Sequence, residues 1–174
     1  MRGLSVPVII AVVILGLLAA VVVVGARQVA AQVERARAPE QPIRFDHVIH
    51  VRLAQLDCLF CHRNADKGDA ATVPSVQQCM FCHVVVGRGN PEVEKVRAKW
   101  DAQEPIDWIR VHRMPDQVHF AHAPHIRAGF DCATCHGDVA SMPRVQQVRA
   151  LNMGDCVNCH RENNAPTDCA TCHY

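Results

Sequence analysis

The chain has 174 residues, a length that suits one small domain, and its net charge of +1 with no stripe of Lys and Arg excludes a nucleic-acid-binding function. Apolar residues make up 49% of the chain but aromatic residues only 5%, and many of the apolar residues lie in one N-terminal run. The remainder is poor in Leu, Ile and Phe, so side chains alone could hardly fill its interior.

The first predicted element is a membrane-spanning helix. From Leu4 to Ala26 the chain is apolar apart from Ser5. These residues, about 23 in number, are enough to cross a hydrocarbon core of roughly 30 Å. A cleaved secretory signal is the alternative, but its apolar region is usually only about 7–15 residues long. Residues 27–38 favour a helix that ends before Pro39, so we expect residues 1–38 to form an anchor helix and its extension.

Five Cys-x-x-Cys-His motifs follow, and they use all ten cysteines. Two thiols on one short turn can add to the two vinyl groups of a haem, and the next histidine then lies under the ring as an axial ligand of the iron. A zinc site couples two such pairs and has no use for a histidine after each, and a thioredoxin-like site needs one motif in a βαβ unit. The sequence therefore predicts five covalently attached haems c.

In chain order, the first to fifth motifs attach these haems through Cys58 and Cys61, Cys79 and Cys82, Cys132 and Cys135, Cys156 and Cys159, and Cys169 and Cys172. Their proximal iron ligands are His62, His83, His136, His160 and His173.

Four of the remaining histidines form a repeated Phe-x-His-x-x-His pattern. His47 and His50 follow Phe45, and His122 and His125 follow Phe120. Histidines three positions apart on a helical turn share one face, yet each iron has only one axial place left. We therefore expect each pair to ligate two different haems and to hold them side by side.

These four histidines can supply a sixth ligand to only four of the five haems, so the sixth ligand of one haem is still missing. We expect His112 to supply it. His119 and Met153 are the alternatives, and a His/Met haem would have a higher reduction potential than a bis-His haem.

The repeat extends beyond the histidines, since Val73-Pro-Ser-Val-Gln-Gln78 follows the first motif and Met142-Pro-Arg-Val-Gln-Gln147 follows the third. An internal duplication is the simplest explanation. We expect a two-haem unit over residues 39–86, a connecting segment over 87–117 and a three-haem unit over 118–174. The predicted fold is mainly short α-helices and loops around haems, with one N-terminal transmembrane helix. Trp100 and Trp108, in the connecting segment, could pack on haem edges or on a partner.

The combined pattern resembles the class III multihaem cytochromes of the c3/c7 kind. The stretches Trp108-Ile-Arg-Val-His112-Arg-Met-Pro, Phe120-Ala-His122-Ala-Pro-His125 and Leu151-Asn-Met153-Gly-Asp-Cys156 look like those of the pentahaem subunit of bacterial alternative complex III. His119 departs from that pattern, where tyrosine is expected.

This resemblance implies an electron-transfer subunit of a membrane quinol:acceptor oxidoreductase. Its partners would be a polytopic subunit that oxidises menaquinol or ubiquinol, an iron–sulfur subunit, and a monohaem cytochrome, soluble carrier or terminal oxidase as acceptor. The protein would lie in the bacterial inner membrane with its haems on the periplasmic side, where haem c is attached. We expect no catalysis by this chain alone.

Two other functions fit parts of the sequence. One is a membrane-anchored multihaem quinol dehydrogenase that serves another periplasmic reductase, although residues 27–45 form no evident quinol pocket. The other is small-molecule catalysis such as nitrite reduction, which requires an open haem. Candidate sixth ligands cover all five irons, which disfavours the second function.

Overall fold

The computed structural model describes residues 6–174, except for the side chains of residues 34–36. It divides into two compact units, one that ends at Arg37 and one that spans Ala38–Tyr174. Arg2, Leu4 and Ser5, which belong to the predicted anchor and its flank, lie outside the described residues.

The first unit is a single helix, α1 (Val6–Arg37). Its stretch Val6–Val33 is long and apolar enough to cross a membrane. At about 1.5 Å per residue a stretch of this length exceeds a hydrocarbon core of roughly 30 Å. Apolar side chains are exposed on all sides of it, as is typical of a membrane span. The helix continues past Ala26 and ends two residues before Pro39. The prediction of one N-terminal apolar helix is confirmed.

The second unit consists of short helices joined by loops. The α-helices are α2 (Cys58–Cys61), α3 (Val76–His83), α4 (Pro91–Asp101), α5 (His122–Arg127), α6 (Cys132–His136) and α7 (Met153–Glu162). A π-helical turn (Val48–Leu53) precedes α2, and 3₁₀ turns occupy Val139–Ser141 and Cys169–Thr171. Residues 6–174 contain no β-strand. The predicted fold class of short helices and loops is therefore confirmed.

The side-chain core of this unit is small and lies between α3 and α4. It consists of Ile43, Val76, Met80, Val96 and Ile106. In the part of the chain that the structure describes, no large side chain is fully buried. The unit therefore has too little apolar core of its own for its size.

Segment 87–117 is part of this core, because it supplies Val96 and Ile106. Asn90 caps the start of α4, and the Arg97 side chain donates a hydrogen bond to the backbone carbonyl of His83 at the end of α3. Trp108 packs against the core, whereas Trp100 is 39% exposed. The segment thus holds α3 in place as well as connecting the two predicted haem-binding units.

Candidate metal centres

Each Cys-x-x-Cys-His motif lies on a short helical turn that a polar residue begins. The residues at these N-cap positions are Asp57, Ser75, Asp131, Asn152 and Asp168. Four of their side chains accept a hydrogen bond from a free N–H group of the first turn, and that of Asp131 does not. A helical turn places residues three apart on one face, so both thiols of a motif face the same side. That is the arrangement that two bonds to one flat ring require.

The ten thiols form no disulfide. Across residues 6–174, no group of three or more His, Cys, Asp or Glu side chains is close enough to hold a lone metal ion. Burial raises the pKa of several thiols, Cys61 and Cys79 among them, so they are protonated at neutral pH. Although the Cys58 and Cys132 thiols lie near each other, the cysteines of residues 6–174 do not converge in the groups that a zinc site requires.

The proximal histidines are oriented by backbone carbonyls. The Nδ1 atoms of His62, His83, His160 and His173 lie 2.6, 3.0, 2.6 and 2.8 Å from the carbonyl oxygens of Thr72, Val86, Pro166 and Gln117. A carbonyl oxygen only accepts hydrogen bonds, so Nδ1 must carry the proton and Nε2 keeps its lone pair. Such a bond fixes the tautomer and the ring orientation of a metal-binding histidine. Four of the five predicted proximal ligands are thus prepared to bind iron through Nε2.

The two Phe-x-His-x-x-His patterns fold alike. Phe45 lies edge-on to His47 at 4.8 Å between ring centroids and stacks on His50 at 4.2 Å. Phe120 likewise lies edge-on to His122 at 4.9 Å and stacks on His125 at 4.7 Å. Each phenylalanine therefore contacts both histidines of its own pattern.

The second histidine of each pattern is held in the same way. Nδ1 of His50 lies 2.8 Å from the carbonyl oxygen of Asp46, and Nδ1 of His125 lies 2.7 Å from that of Ala121, in both cases four residues earlier. His122 reaches further, since its Nδ1 lies 2.7 Å from the carbonyl oxygen of Asp69, which follows the first motif. The three-dimensional structure thus repeats as the sequence does.

Three of these histidines lie opposite proximal histidines. The ring centroids are 6.1 Å apart for His50 and His83, 6.3 Å for His122 and His136, and 5.9 Å for His125 and His160. Metal–nitrogen bonds of about 2 Å, added to ring radii of roughly 1 Å, hold two imidazole centroids about 6 Å apart across one metal ion. All three pairs have this separation.

His47 is the remaining member of the repeat. Burial, together with smaller effects of nearby His62 and His50, lowers its pKa to about 4. Its Nδ1 is buried without a hydrogen-bond partner. The imidazole is therefore neutral at physiological pH, which is the form that binds metals, and it lies close to the proximal histidine of the first motif.

His112 and His119 are the two histidines predicted as candidates for the missing sixth ligand. They lie in different places. The ring of His112 meets that of His136 edge-on at 4.4 Å, and its Nε2 is buried without a partner. Burial lowers the pKa of His112, and that of His136 falls to about 4 through burial and the nearby His112, His122 and His62. His119 stacks on Tyr174 at 4.3 Å. Neither ring lies opposite the ring of His173.

Sequence reasoning assigned no function to Phe45 and Phe120, nor to the carbonyl groups that orient the histidines. The sequence does mark the phenylalanines, since each stands two residues before the first histidine of its pattern. It does not mark the carbonyl groups, because every residue has a backbone carbonyl.

The residues present fit haem groups. Paired cysteines share a helical face, proximal histidines offer Nε2, and three histidine pairs have the separation that one iron atom requires. The small side-chain core also suits a domain whose interior includes large flat cofactors.

Comparison with known proteins agrees with this geometry. Residues 118–174 match the family model described as cytochrome c7 and related cytochrome c. The chain is also 30% identical, over 161 residues, to the multihaem cytochrome c subunit of a menaquinone reductase from Nitratidesulfovibrio vulgaris. That match covers 77% of this chain and 77% of the relative.

Proposed function

We infer the function of this chain from its family, since it belongs to the multihaem cytochromes c. We propose that it is an electron-transfer subunit that carries five covalent haems c within a membrane quinol:acceptor oxidoreductase of the alternative complex III type. The observation that carries the proposal is the set of histidine pairs with centroids 5.9–6.3 Å apart, each built from one motif histidine and one histidine of the repeat.

When bound, the haems supply one-electron transfer from iron to iron. The chain contributes attachment, orientation and spacing. The cysteines would attach each ring, backbone carbonyls hold the histidines that would bind the irons, and each Phe-x-His-x-x-His pattern would link two centres. Histidine on both sides of an iron leaves it no free place for a substrate, which suits electron transfer rather than catalysis.

Contacts between the motifs support a continuous electron path. The side-chain amide of Gln78, in the helix of the second motif, donates a hydrogen bond to the carbonyl of Phe60 in the first motif. The region of the first motif meets that of the third through an ion pair of 2.7 Å between Arg52 and Asp138. A backbone hydrogen bond of 3.1 Å from Ala123 to Gly68 joins the same two regions.

The path continues in the C-terminal half. Arg149 donates hydrogen bonds to the Thr134 carbonyl in the third motif at 3.2 Å and to the Asp155 carboxylate, next to the fourth motif, at 2.7 Å. The fifth motif begins nine residues after His160. We therefore propose the spatial order second, first, third, fourth and fifth motif, so that the second and fifth haems form the two ends.

We propose that α1 anchors the protein in the bacterial inner membrane and that residues 38–174 lie on the periplasmic side. The length and composition of α1 support the anchor. The side follows from chemistry, because haem c is attached outside the cytoplasm. The five-haem count, the division into residues 39–86, 87–117 and 118–174, and all ten histidine ligands remain parts of this proposal.

The proposed partners are a polytopic quinol-binding subunit, an iron–sulfur subunit, and a monohaem cytochrome, soluble carrier or terminal oxidase as acceptor. One observation favours a second function in the opposite direction. The relative from Nitratidesulfovibrio vulgaris is named as part of a menaquinone reductase, so this chain could carry electrons towards a quinone. A quinol dehydrogenase that serves another periplasmic reductase is a third arrangement, with the same haem domain.

Purification of the full chain in mild detergent from its native membrane tests these proposals. We expect five haems per chain by pyridine haemochrome and intact mass, and an iron–sulfur protein and a polytopic subunit in the same preparation. The double variant Cys132→Ser/Cys135→Ser should hold four haems. A count well below five in the unmodified chain would refute the haem assignment, and the absence of both partners would refute the complex. Quinol oxidation by the preparation, compared with quinone reduction, decides between the two directions.

A further inference from the structure

The 68–72 loop, which follows the first motif, contacts two predicted iron ligands through its backbone. The Thr72 carbonyl oxygen lies 2.6 Å from Nδ1 of His62, the proximal histidine of the first motif. Three residues earlier, the Asp69 carbonyl oxygen lies 2.7 Å from Nδ1 of His122, whose ring lies opposite that of His136 in the third motif. One short loop therefore holds a histidine of each of two predicted haems.

Helix α5, which bears His122 and His125, lacks a side-chain cap of its own. In the first Phe-x-His-x-x-His pattern, the Asp46 carboxylate accepts a hydrogen bond of 2.8 Å from the backbone N–H of Val48. The equivalent position in the second pattern is Ala121, whose methyl group cannot accept a hydrogen bond. A helix of only six residues gains little stability from its own hydrogen bonds, so the start of α5 needs another partner.

The 68–72 loop provides that partner. The backbone N–H of His122 donates to the Asp69 carbonyl at 3.0 Å, and that of Ala123 donates to the Gly68 carbonyl at 3.1 Å. Ala123 is only 6% exposed, so water has little access to this contact. The first turn of α5 thus depends on a segment that lies 53 residues earlier in the chain.

Thr72 is held in a backbone conformation that its side chain disfavours. Its φ is +62°, in the left-handed region, where a β-branched residue is a genuine outlier. Among the residues other than glycine with positive φ in residues 6–174, it alone is β-branched. Such a conformation persists only where the surrounding structure enforces it. Here the enforced conformation accompanies the contact of the Thr72 carbonyl with His62.

We propose that the 68–72 loop positions axial ligands of two haems at once. Thr72 orients His62 at the first haem, while Gly68 and Asp69 cap α5 and orient His122 at the third haem. This proposal rests on the haem assignment made under Proposed function. The first and third motifs are neighbours in the proposed path, at the step between the two predicted haem-binding units. The loop therefore fixes a ligand on each side of that step.

The contacts also affect the reduction potentials. A carbonyl that accepts the Nδ1 hydrogen makes the imidazole a more basic ligand. A more basic ligand stabilises ferric iron and so lowers the reduction potential of its haem. Loss of the Thr72 contact should therefore raise the potential of the first haem, and loss of the Asp69 contact should raise that of the third.

Thr72→Pro tests the proposal directly, because proline fixes φ near −65° and turns the carbonyl away from His62. Only two residues separate Asp69 from Thr72, so the change should displace the whole loop. We expect the full-length haem-loaded chain in detergent to keep its five haems, since no cysteine is altered. The electron paramagnetic resonance signals of two ferric haems should change, and their reduction potentials should rise. Hydrogen–deuterium exchange of the His122 and Ala123 amides should become about tenfold faster, as the loss of one hydrogen bond allows.

Three matched variants separate positioning from general damage. Thr72→Gly should leave all haem signals unchanged, because glycine adopts the left-handed region freely and keeps the carbonyl in place. Gln103→Pro reverses a φ of +56° at another exposed position and removes a hydrogen bond to the Trp100 carbonyl, yet it should alter no haem signal. Ala121→Asp restores the cap of the first pattern. Added to Thr72→Pro, it should slow the amide exchange of α5 again while the first haem stays altered.

Several outcomes would overturn the proposal. Unchanged haem signals in Thr72→Pro would do so, as would the same change in Thr72→Gly or Gln103→Pro. A change confined to the first haem, with normal amide exchange at His122 and Ala123, would show that the loop does not join the two haems. Exchange that stays fast after Ala121→Asp is added would refute the capping of α5. A haem count below five in the unmodified chain would instead refute the haem assignment itself, so the two failures are distinguishable.

Discussion

The substitution Phe45→Leu tests whether the phenylalanine of each repeat orients the two histidines beside it. Phe45 contacts His47 edge-on at 4.8 Å and stacks on His50 at 4.2 Å. Leucine keeps an apolar side chain of similar reach but removes both ring contacts. An aromatic pair contributes about 0.5–1.5 kcal/mol beyond its buried area, so the two contacts together amount to about 1–3 kcal/mol.

This loss should appear as a fall in melting temperature of roughly 3–9 °C, given the size of the folded unit. The assay is thermal unfolding of the haem-loaded chain, followed by haem absorbance. Electron paramagnetic resonance of the ferric protein should also change for two of the five haems, because its g values depend on the relative orientation of the two axial imidazoles. Phe120→Leu should have the same effect on a different pair of haems.

Phe130→Leu is the matched control. Phe130 is half-buried like Phe45, but in residues 6–174 its ring meets no other aromatic ring. We expect it to leave the resonance spectrum unchanged. If Phe45→Leu and Phe130→Leu lower the melting temperature equally, and neither alters the spectrum, then the phenylalanine does not orient the histidines.

Three further predictions concern separate parts of the chain. His50→Ala removes the partner that lies 6.1 Å from His83, so it should open one haem in five to carbon monoxide, whereas Ile49→Ala, at an exposed site, should open none. Gly137→Ala should lower the free energy of unfolding by more than about 1 kcal/mol, because Gly137 has φ +71° and an added Cβ would lie 3.0 Å from a Val148 methyl group. Equal midpoints of chemical denaturation for the variant and the unmodified chain would contradict this prediction. The backbone N–H of Arg44, together with Lys95, lowers the pKa of Glu92. The ionised carboxylate therefore adds stability that is complete above the ordinary carboxyl pKa. This stability is lost as the pH falls through the lowered pKa. The stability advantage over Glu92→Gln should therefore shrink in acid, and an advantage independent of pH would refute the assignment.

The fold class could be read from the sequence, and the covalent sites could be proposed from it, because both depend on local patterns. A Cys-x-x-Cys-His motif holds its two thiols and its histidine within one helical turn, whatever surrounds it. The uninterrupted apolar run up to Ala26 and the stop at Pro39 similarly define α1 with no reference to the rest of the chain.

The expectation of a connecting segment over residues 87–117 says nothing about packing. In the structure Val96 and Ile106 of this segment join the core beside α3. Charged residues at several positions of α4 concealed the few apolar ones that face inward.

The pairing of histidines could not be predicted, because it depends on how distant segments pack. The repeat alone says that His122 and His125 serve different haems, and only the tertiary structure places them beside His136 and His160. The same holds for His112, which the sequence offers as a free ligand and the structure places against His136.

The sequence by itself therefore determined the chemistry of each centre, since two thiols and a histidine within five residues specify how one haem is attached. Only the tertiary structure bears on how the centres are completed and ordered. A sixth ligand must approach each iron from the face opposite its own motif, and the residue on that face arrives there by long-range packing. This is why the chain order of the five motifs and their proposed order in space differ.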